Sequence, residues 1–501
     1  MPNLNPLRLL RRSNAQRPSV RGALVFSTAQ QYTNFLITFP TIMILSRLLT
    51  PAEVGVYSVS VTFVNIVHML RDMGTSEYLV QLKELDEDSA RTAFTINLII
   101  AWTLALVLLF ISPYMAAFFS EAGVAGVLQI LSLTFLVLPV GAIINALLVR
   151  DMQFALRYKI AVVQLVVQNG LTIFLAWYGF SYYSPAWGAV AGVTTGAIGC
   201  LVWGREYRIR GLSLKTWRPV TDFGIKKTCE TVSNQLGAAA PDFVIGRMLG
   251  MAQVGLFSRG NGLPRMFREN IVGAIGAVSY AAYARHYREG GDPCDLYLHK
   301  IALVTGLAWP CLGFASMFAY PIIMIFFGDQ WVPAVPILRY AAIFTAISIS
   351  LVQSQALLTA MGRAGIAALS TGIRQLLLIT CLVAAATVSL NTVAIALVPT
   401  AVVSTAIMTG FLYYTTTMTP GRIVRALGPS ALLAGSALIP AAAIRWVYPP
   451  GVDSIWGPTF AAGLAWLAGY LLGLKYINHP LWHEVQPVFA KLRPRKRVWN
   501  E

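Results

Sequence analysis

Uncharged apolar stretches of bilayer-spanning length recur along this chain from Gly22 to Tyr476, separated by short segments rich in proline, glycine or charge. About 20 apolar residues cover the hydrocarbon core as a helix. The pattern predicts fourteen spans, at 22–46, 54–72, 92–119, 124–148, 160–179, 185–204, 222–246, 253–283, 299–327, 334–360, 365–388, 392–414, 424–446 and 455–476. The fold class expected is therefore an all-α polytopic membrane protein. Composition agrees: 56% of residues are hydrophobic and 12% charged, against roughly 25% charged in a soluble domain.

The basic start (Arg8, Arg11, Arg12, Arg17, Arg21) resembles a signal-peptide n-region. The apolar run behind it is too long for a signal h-region and no small-residue cleavage site follows, so it is expected to remain as the first span. The net charge of +17 invites a nucleic-acid reading, but the placement of the charge explains it better. With a cytoplasmic N-terminus, all but eight of the 38 lysines and arginines fall in the N-terminal tail, the even-numbered connections or the C-terminal tail, or in the ends of the spans that adjoin them. That is the positive-inside pattern, and it makes both termini cytoplasmic. Four exceptions sit in or beside odd-numbered connections (Arg47, Arg247, Arg339, Arg445) and four inside spans (Arg259, Arg265, Arg268, Arg374). The basic clusters at 204–218 and 491–497 read as orientation signals touching anionic lipid heads. Five scattered cysteines, with no CxxC pair and no His cluster, support neither a disulfide framework nor a metal site.

A repeat at an offset of 200 organises the chain. Residues 44–58, "ILSRLLTPAEVGVYS", align without gaps with residues 244–258, "VIGRMLGMAQVGLFS". Arg47/Arg247, Leu49/Leu249, Ala52/Ala252, Val54/Val254, Gly55/Gly255 and Ser58/Ser258 are identical, and one span earlier Thr28/Thr228 and Asn34/Asn234 match in the same register. Spans 1–6 and 7–12 then form two lobes of equal orientation, related by an axis along the membrane normal, with a site expected near the midplane between them. The expected division is a cytoplasmic tail at 1–21, lobes at 22–220 and 221–420, two added helices at 421–476 and a basic tail at 477–501. Within the motif, Thr50, Pro51 and Glu53 read as N-cap, first helical residue and N3 of a capping box, with Leu49 and Val54 as its hydrophobic staple. Arg47 and Arg247, at helix C-termini, suit the helix dipole and can reach the membrane surface. The motif reads as a structural hairpin corner.

Several spans carry polar faces that lipid would not tolerate. In span 1, Ser27, Gln31, Asn34, Thr38 and Thr41 recur at intervals of four and three; span 7 answers with Lys227, Thr231 and Asn234, adding Glu230 and Asp242. Span 2 shows Ser58, Thr62, Asn65 and His68, and span 8 shows Ser258, Asn261, Arg265 and Arg268. An ionised group at bilayer depth costs at least ~2.5 kcal/mol on insertion scales, which makes it a functional candidate. Arg265 has a neutralising neighbour in Glu269 at i+4. Arg259 is near enough to a membrane surface to snorkel, whereas Arg268 and Arg374 have no partner on their own helices. His68 reads first as a packing histidine. Gln164/Gln168 and Gln353/Gln355 are candidates for lining or bridging the bundles. No phosphate-binding glycine loop, nucleophile–histidine set or large extramembrane domain is present, so an enzyme or a self-contained ATP-driven pump is not expected. A membrane-bound polymerase or ligase would want a sizeable outer loop, and these are short.

The stretches "LSRLLTPAEVGVYS" (45–58), "LRDMGTSEYLVQ" (70–81) and "PDFVIGRMLGMAQVGLFSRGNGLPRMFRENI" (241–271) resemble the bacterial polysaccharide transporters. These are the lipid-linked oligosaccharide flippases of the multidrug/oligosaccharidyl-lipid/polysaccharide exporter superfamily. The resemblance implies translocation of undecaprenyl-diphosphate-linked repeat units across the inner membrane, by alternating access, for exopolysaccharide, capsule or O-antigen, without a cofactor. It also implies membrane lipids and other polysaccharide-assembly proteins as partners. By location and chemistry, Arg265, Arg268, Arg259 and Arg374 would meet the diphosphate, with Asn34, Asn234, Gln31, Asn261 and His68 as further cavity candidates. Related drug antiporters often carry a coupling carboxylate in span 1. This chain has none there, which leaves Glu230 or Asp242 if ions drive transport and weighs against a drug or small-solute antiporter.

Overall fold

In the computed structural model the structure describes residues 20–72, 74–82, 85–209, 211–447, 456–484 and 486, with side chains at 20, 21, 23, 24, 72, 219, 222–236 and 272–278 left out. Among the described residues the regular structure is helical. The helices are α1 (Val20–Leu48), α2 (Pro51–Asp72), α3 (Thr75–Gln81), α4 (Glu87–Phe119), α5 (Ala122–Arg150), α6 (Phe154–Trp177), α7 (Tyr183–Trp203), α8 (Trp217–Met248), α9 (Met251–Arg288), α10 (Pro293–Met317), α11 (Ala319–Phe326), α12 (Val335–Ile349), α13 (Ser354–Ala360), α14 (Ala364–Ala386), α15 (Leu390–Thr415), α16 (Pro420–Val447) and α17 (Trp456–Tyr476). Among the described residues eleven helical segments are long and apolar enough to cross a membrane, counting 329–360 as one. The protein is a multi-pass membrane protein. α1, α8 and α9 are also of spanning length, at 29, 32 and 38 residues, but stand outside those eleven. They are the helices on which most of the polar faces fall.

The helix ends follow local chemistry. At the first corner Thr50 N–H and Oγ1 both donate to Glu53 Oε2, at 2.7 and 2.8 Å, and Glu53 N–H donates back to Thr50 Oγ1 at 3.3 Å. That is the reciprocal capping box. Leu49 and Val54 are both buried beside it. Asp86 caps α4 through Ser89 N–H at 3.2 Å. The span expected at 334–360 is broken, with α12 ending at Ile349 and α13 starting at Ser354. Apolar periodicity does not register a break whose intervening residues stay buried, as Leu351 and Gln353 do.

The chain divides into two compact units, between Gly255 and Leu256. In unit 1, α5 packs on α4 and α7, α6 on α7 and α1, and α2 on α8. Its core includes Leu128, Leu131, Phe135, Ile143 and Leu148. In unit 2, α10 is central, packing on α12 and α16, with α15 against α12 and α14, and α17 against α16. After α17 the chain is held by His479, whose Nδ1 accepts from Leu481 N–H at 3.1 Å. Nε2 therefore carries the proton and donates to Ser430 Oγ at 3.0 Å. The compact units and the sequence repeat divide the chain at different places, because α8, the first helix of the second copy, packs against α2.

Candidate functional site

In unit 1 the polar face of α1 is open. Gln31 and Asn34 are exposed, Thr38 is half-buried and donates to Asn34 Oδ1 at 3.1 Å, and Thr41 is buried with its hydroxyl on Ile37 O. Thr33, off that face, pairs with the Tyr158 hydroxyl of α6 at 3.0 Å. Nothing in the spacing of α1 or α6 announces that contact.

The crossing of α2 with the end of α8 and the start of α9 is built on two glycines. A Cβ on Gly55 would lie 1.8 Å from Met251 O, and a Cβ on Gly255 would lie 1.9 Å from Pro51 O. Each glycine therefore lets its helix touch the backbone of the other. Deeper along the same pair, Thr62 Oγ1 donates to Asp242 Oδ2 at 2.5 Å. Thr62 belongs to the expected polar face of span 2 and Asp242 to that of span 7, so the structure joins two candidates that spacing alone leaves apart. His68 stacks on the buried Phe135, centroids 4.3 Å apart at 12°. Arg47 and Arg247 are exposed at their helix ends, and Arg247 lies over the Phe118 ring at 5.5 Å. Gln164 and Gln168 of α6 pack into the space over Gly196 and Gly192 of α7, bridging helices within unit 1. Glu230 and Asn234 lie outside the described side chains.

In unit 2 the four intramembrane arginines separate by environment. Arg265 is exposed, with Nε 3.9 Å from Glu269 Oε1 and both side chains more than half accessible. A pair this long and this open is worth little in water. Arg259 lies over Trp331 at 5.5 Å, a cation–π contact with a fully buried ring. Arg268 on α9 and Arg374 on α14 are half-buried, make no ion pair among the described residues and lie close enough to feel each other's charge. Asn261, one face-turn before Arg265, is half-buried. Gln355 of α13 donates to Thr371 Oγ1 of α14, and Gln353 is buried. Among the described residues no cluster of His, Cys, Asp and Glu could hold a metal ion.

The chain is thus a multi-pass helical membrane protein, and three of its four intramembrane arginines stand on α9, one of its least apolar helices. The chain belongs to the polysaccharide biosynthesis protein family, whose model matches residues 44–336. It is 23% identical over 322 residues to the succinoglycan biosynthesis transport protein ExoT of Rhizobium meliloti, covering 64% of this chain and 65% of that protein. It is also 23% identical over 302 residues to the teichuronic acid biosynthesis protein TuaB of Bacillus subtilis, covering 59% and 62%. The match thus spans somewhat less than two thirds of each of these curated relatives. Among solved structures the chain shares the fold of the lipid II flippase MurJ in an inward closed conformation, with a TM-score of 0.69 at 13% identity over 94% of this chain and 100% of that one.

Proposed function

We propose that this protein is a flippase that carries undecaprenyl-diphosphate-linked oligosaccharide repeat units across the bacterial inner membrane, from the cytoplasmic to the periplasmic leaflet, for surface polysaccharide assembly. Both termini are cytoplasmic in this reading, and the repeat copies at 22–220 and 221–420 are the two lobes of an alternating-access transporter, with 421–476 an addition. The protein acts as a carrier and not as an enzyme.

The observation that carries the reading is the Arg268–Arg374 couple. Two like charges at bilayer depth repel one another, and although Glu269 offsets part of the charge on Arg268, neither arginine is in an ion pair among the described residues, so an arriving anion stabilises both. A diphosphate is such an anion, because a guanidinium binds phosphate oxygens through two parallel charge-assisted hydrogen bonds. The exposed side chains of Gln31 and Asn34 on α1 carry amide groups of the kind that sugar hydroxyls bind, while a polyprenyl tail stays in the bilayer. Family membership and the role of ExoT in transport for succinoglycan biosynthesis support the same reading. If ions drive transport, Asp242, hydrogen-bonded across α2 and α8, or Glu230 would be the coupling carboxylate.

Deleting the gene should leave the lipid-linked oligosaccharide on the cytoplasmic leaflet; normal periplasmic delivery with polymer still missing would sink the reading. Arg268→Ala should abolish most export at normal membrane levels, Arg268→Lys should retain part of it, and Arg265→Ala should lose far less.

A further inference from the structure

Two of the arginines that break the positive-inside pattern, Arg339 and Arg445, have no part in the transport reading, yet unit 2 gathers them at one end. α10 and α16 finish at that end, at Met317 and Val447, and α12 begins there at Val335. Arg445 follows the buried Ala441 by one turn on the same face of α16, and its guanidinium lies over the Phe318 ring at 5.9 Å. Phe318 is itself buried with Ala441 and Ala462 and flanked by Ile444 and Trp466. Arg339 stands between the buried Val335 and Ala342 on α12, close enough to Arg445 for the two positive charges to interact. Both side chains are half-buried, and neither makes an ion pair or hydrogen bond among the described residues. Asp329, in the adjoining turn, accepts from Gln330 N–H and forms no ion pair among the described residues.

An exposed arginine at this level could reach water by itself. Two held half-buried with their charges opposed, one of them over the Phe318 ring, are an arrangement that an anion stabilises. The surroundings identify the kind of anion. Trp446, next to Arg445, and Trp456, at the start of α17, are largely exposed, which is how indole rings sit at the headgroup level of a bilayer. Ile439 and Leu432, seven and fourteen residues before Trp446, continue an exposed apolar stripe down α16, along which an acyl chain can lie.

We propose that Arg339 and Arg445 form a binding site for the phosphate group of a membrane lipid, with the headgroup over Phe318 and the acyl chains along the Leu432–Ile439–Trp446 stripe. By loop charge this end faces away from the cytoplasm, so the lipid belongs to the outer leaflet of that membrane. The site is separate from the Arg268–Arg374 couple and does not depend on what the protein transports.

The test is lipid retention by the full-length protein, purified, stripped of lipid and titrated with phosphatidylglycerol under native mass spectrometry. The Arg339→Gln/Arg445→Gln double variant should bind phosphatidylglycerol at least about tenfold more weakly, since loss of even one charge-assisted contact costs that much. The Lys/Lys double variant should recover most of it, and diacylglycerol, which lacks the phosphate, should not distinguish the proteins. Because the Gln variants remove a repulsion, they should melt no lower than the parent. A parallel titration with inorganic diphosphate separates the two sources of phosphate. Arginine-dependent binding of diphosphate without binding of phosphatidylglycerol would overturn the lipid assignment. Equal phosphatidylglycerol retention by the parent and the Gln variant would mean that the counter-charge comes from within the chain, and would overturn the site itself.

Discussion

The two copies of the hairpin corner, 44–58 and 244–258, make the same turn by different local means. The first closes with the Thr50–Glu53 capping box. The second has Gly250 at the Thr50 position, with φ +92°, a conformation that glycine enters at little steric cost. What the copies share is deeper. Val54 and Val254 are both buried, and the glycine contacts exchange under the repeat, since position 55 meets the carbonyl of 251 while position 255 meets the carbonyl of 51. An offset of 200 turns one contact into the other. The corner can therefore vary in how it caps a helix but not in the close approach of two backbones. The symmetry has one break. The Thr62–Asp242 hydrogen bond has Gly262 and Ile42 as its image in the sequence, a pair with no side-chain hydrogen bond to make.

The strongest way to break this comparison is at the shared glycines. Gly55→Val or Gly255→Val drives a branched side chain into a backbone carbonyl that cannot rotate away, so each should cost at least ~3 kcal/mol or prevent folding. Gly410→Ala, in open space on α15, should be neutral or stabilise by up to ~1 kcal/mol through helix propensity. Thermal melts in detergent separate the two, and equal melting of the Gly55 and Gly410 variants would refute the tight crossing. Next in size is Asp242→Ile, which restores the sequence symmetry. It leaves Thr62 without its acceptor and should cost ~1–3 kcal/mol, whereas Asp242→Asn keeps an acceptor and should melt close to the parent. If the carboxylate also couples transport to an ion, both variants lose the ion dependence of export, read in inverted vesicles.

Exchanging the caps gives smaller effects and tests whether they are interchangeable. Gly250→Thr places a β-branched residue at positive φ and should destabilise by ~1–2 kcal/mol. Thr50→Ala removes the capping hydroxyl and should cost ~1 kcal/mol, while Thr50→Gly should cost only a few tenths. A Thr50→Gly loss as large as that of Gly250→Thr would show that the corners differ in more than their capping chemistry.

The capping box was legible because its partners lie three residues apart and its chemistry is local. The corner role of Arg47 and Arg247, at exposed helix ends, follows from the same kind of local pattern. The i, i+4 spacing of Arg265 and Glu269 foretold their pair, though only the structure shows it to be long and open. A packing preference for His68 is visible in the sequence, and the structure stacks its ring on Phe135. The partner of Asp242 was not legible, since Thr62 lies 180 residues away and a polar face says which way a group points without saying what meets it. The same holds for Arg339 and Arg445, which stand out in the sequence only as separate exceptions to a charge rule.

The sequence by itself determined that this chain crosses a membrane many times, that its second half echoes its first, and which helices are too polar to face lipid. Those are properties of composition and short-range periodicity, set by the cost of placing polar groups in hydrocarbon. Only the tertiary structure decided that Gly55 and Gly255 serve one shared crossing, that α8 packs with the helices of the first copy, and that Arg268 sits near Arg374 and Arg339 near Arg445. Such pairings depend on which helix faces meet, and helix-period patterning restricts each face without selecting its neighbour.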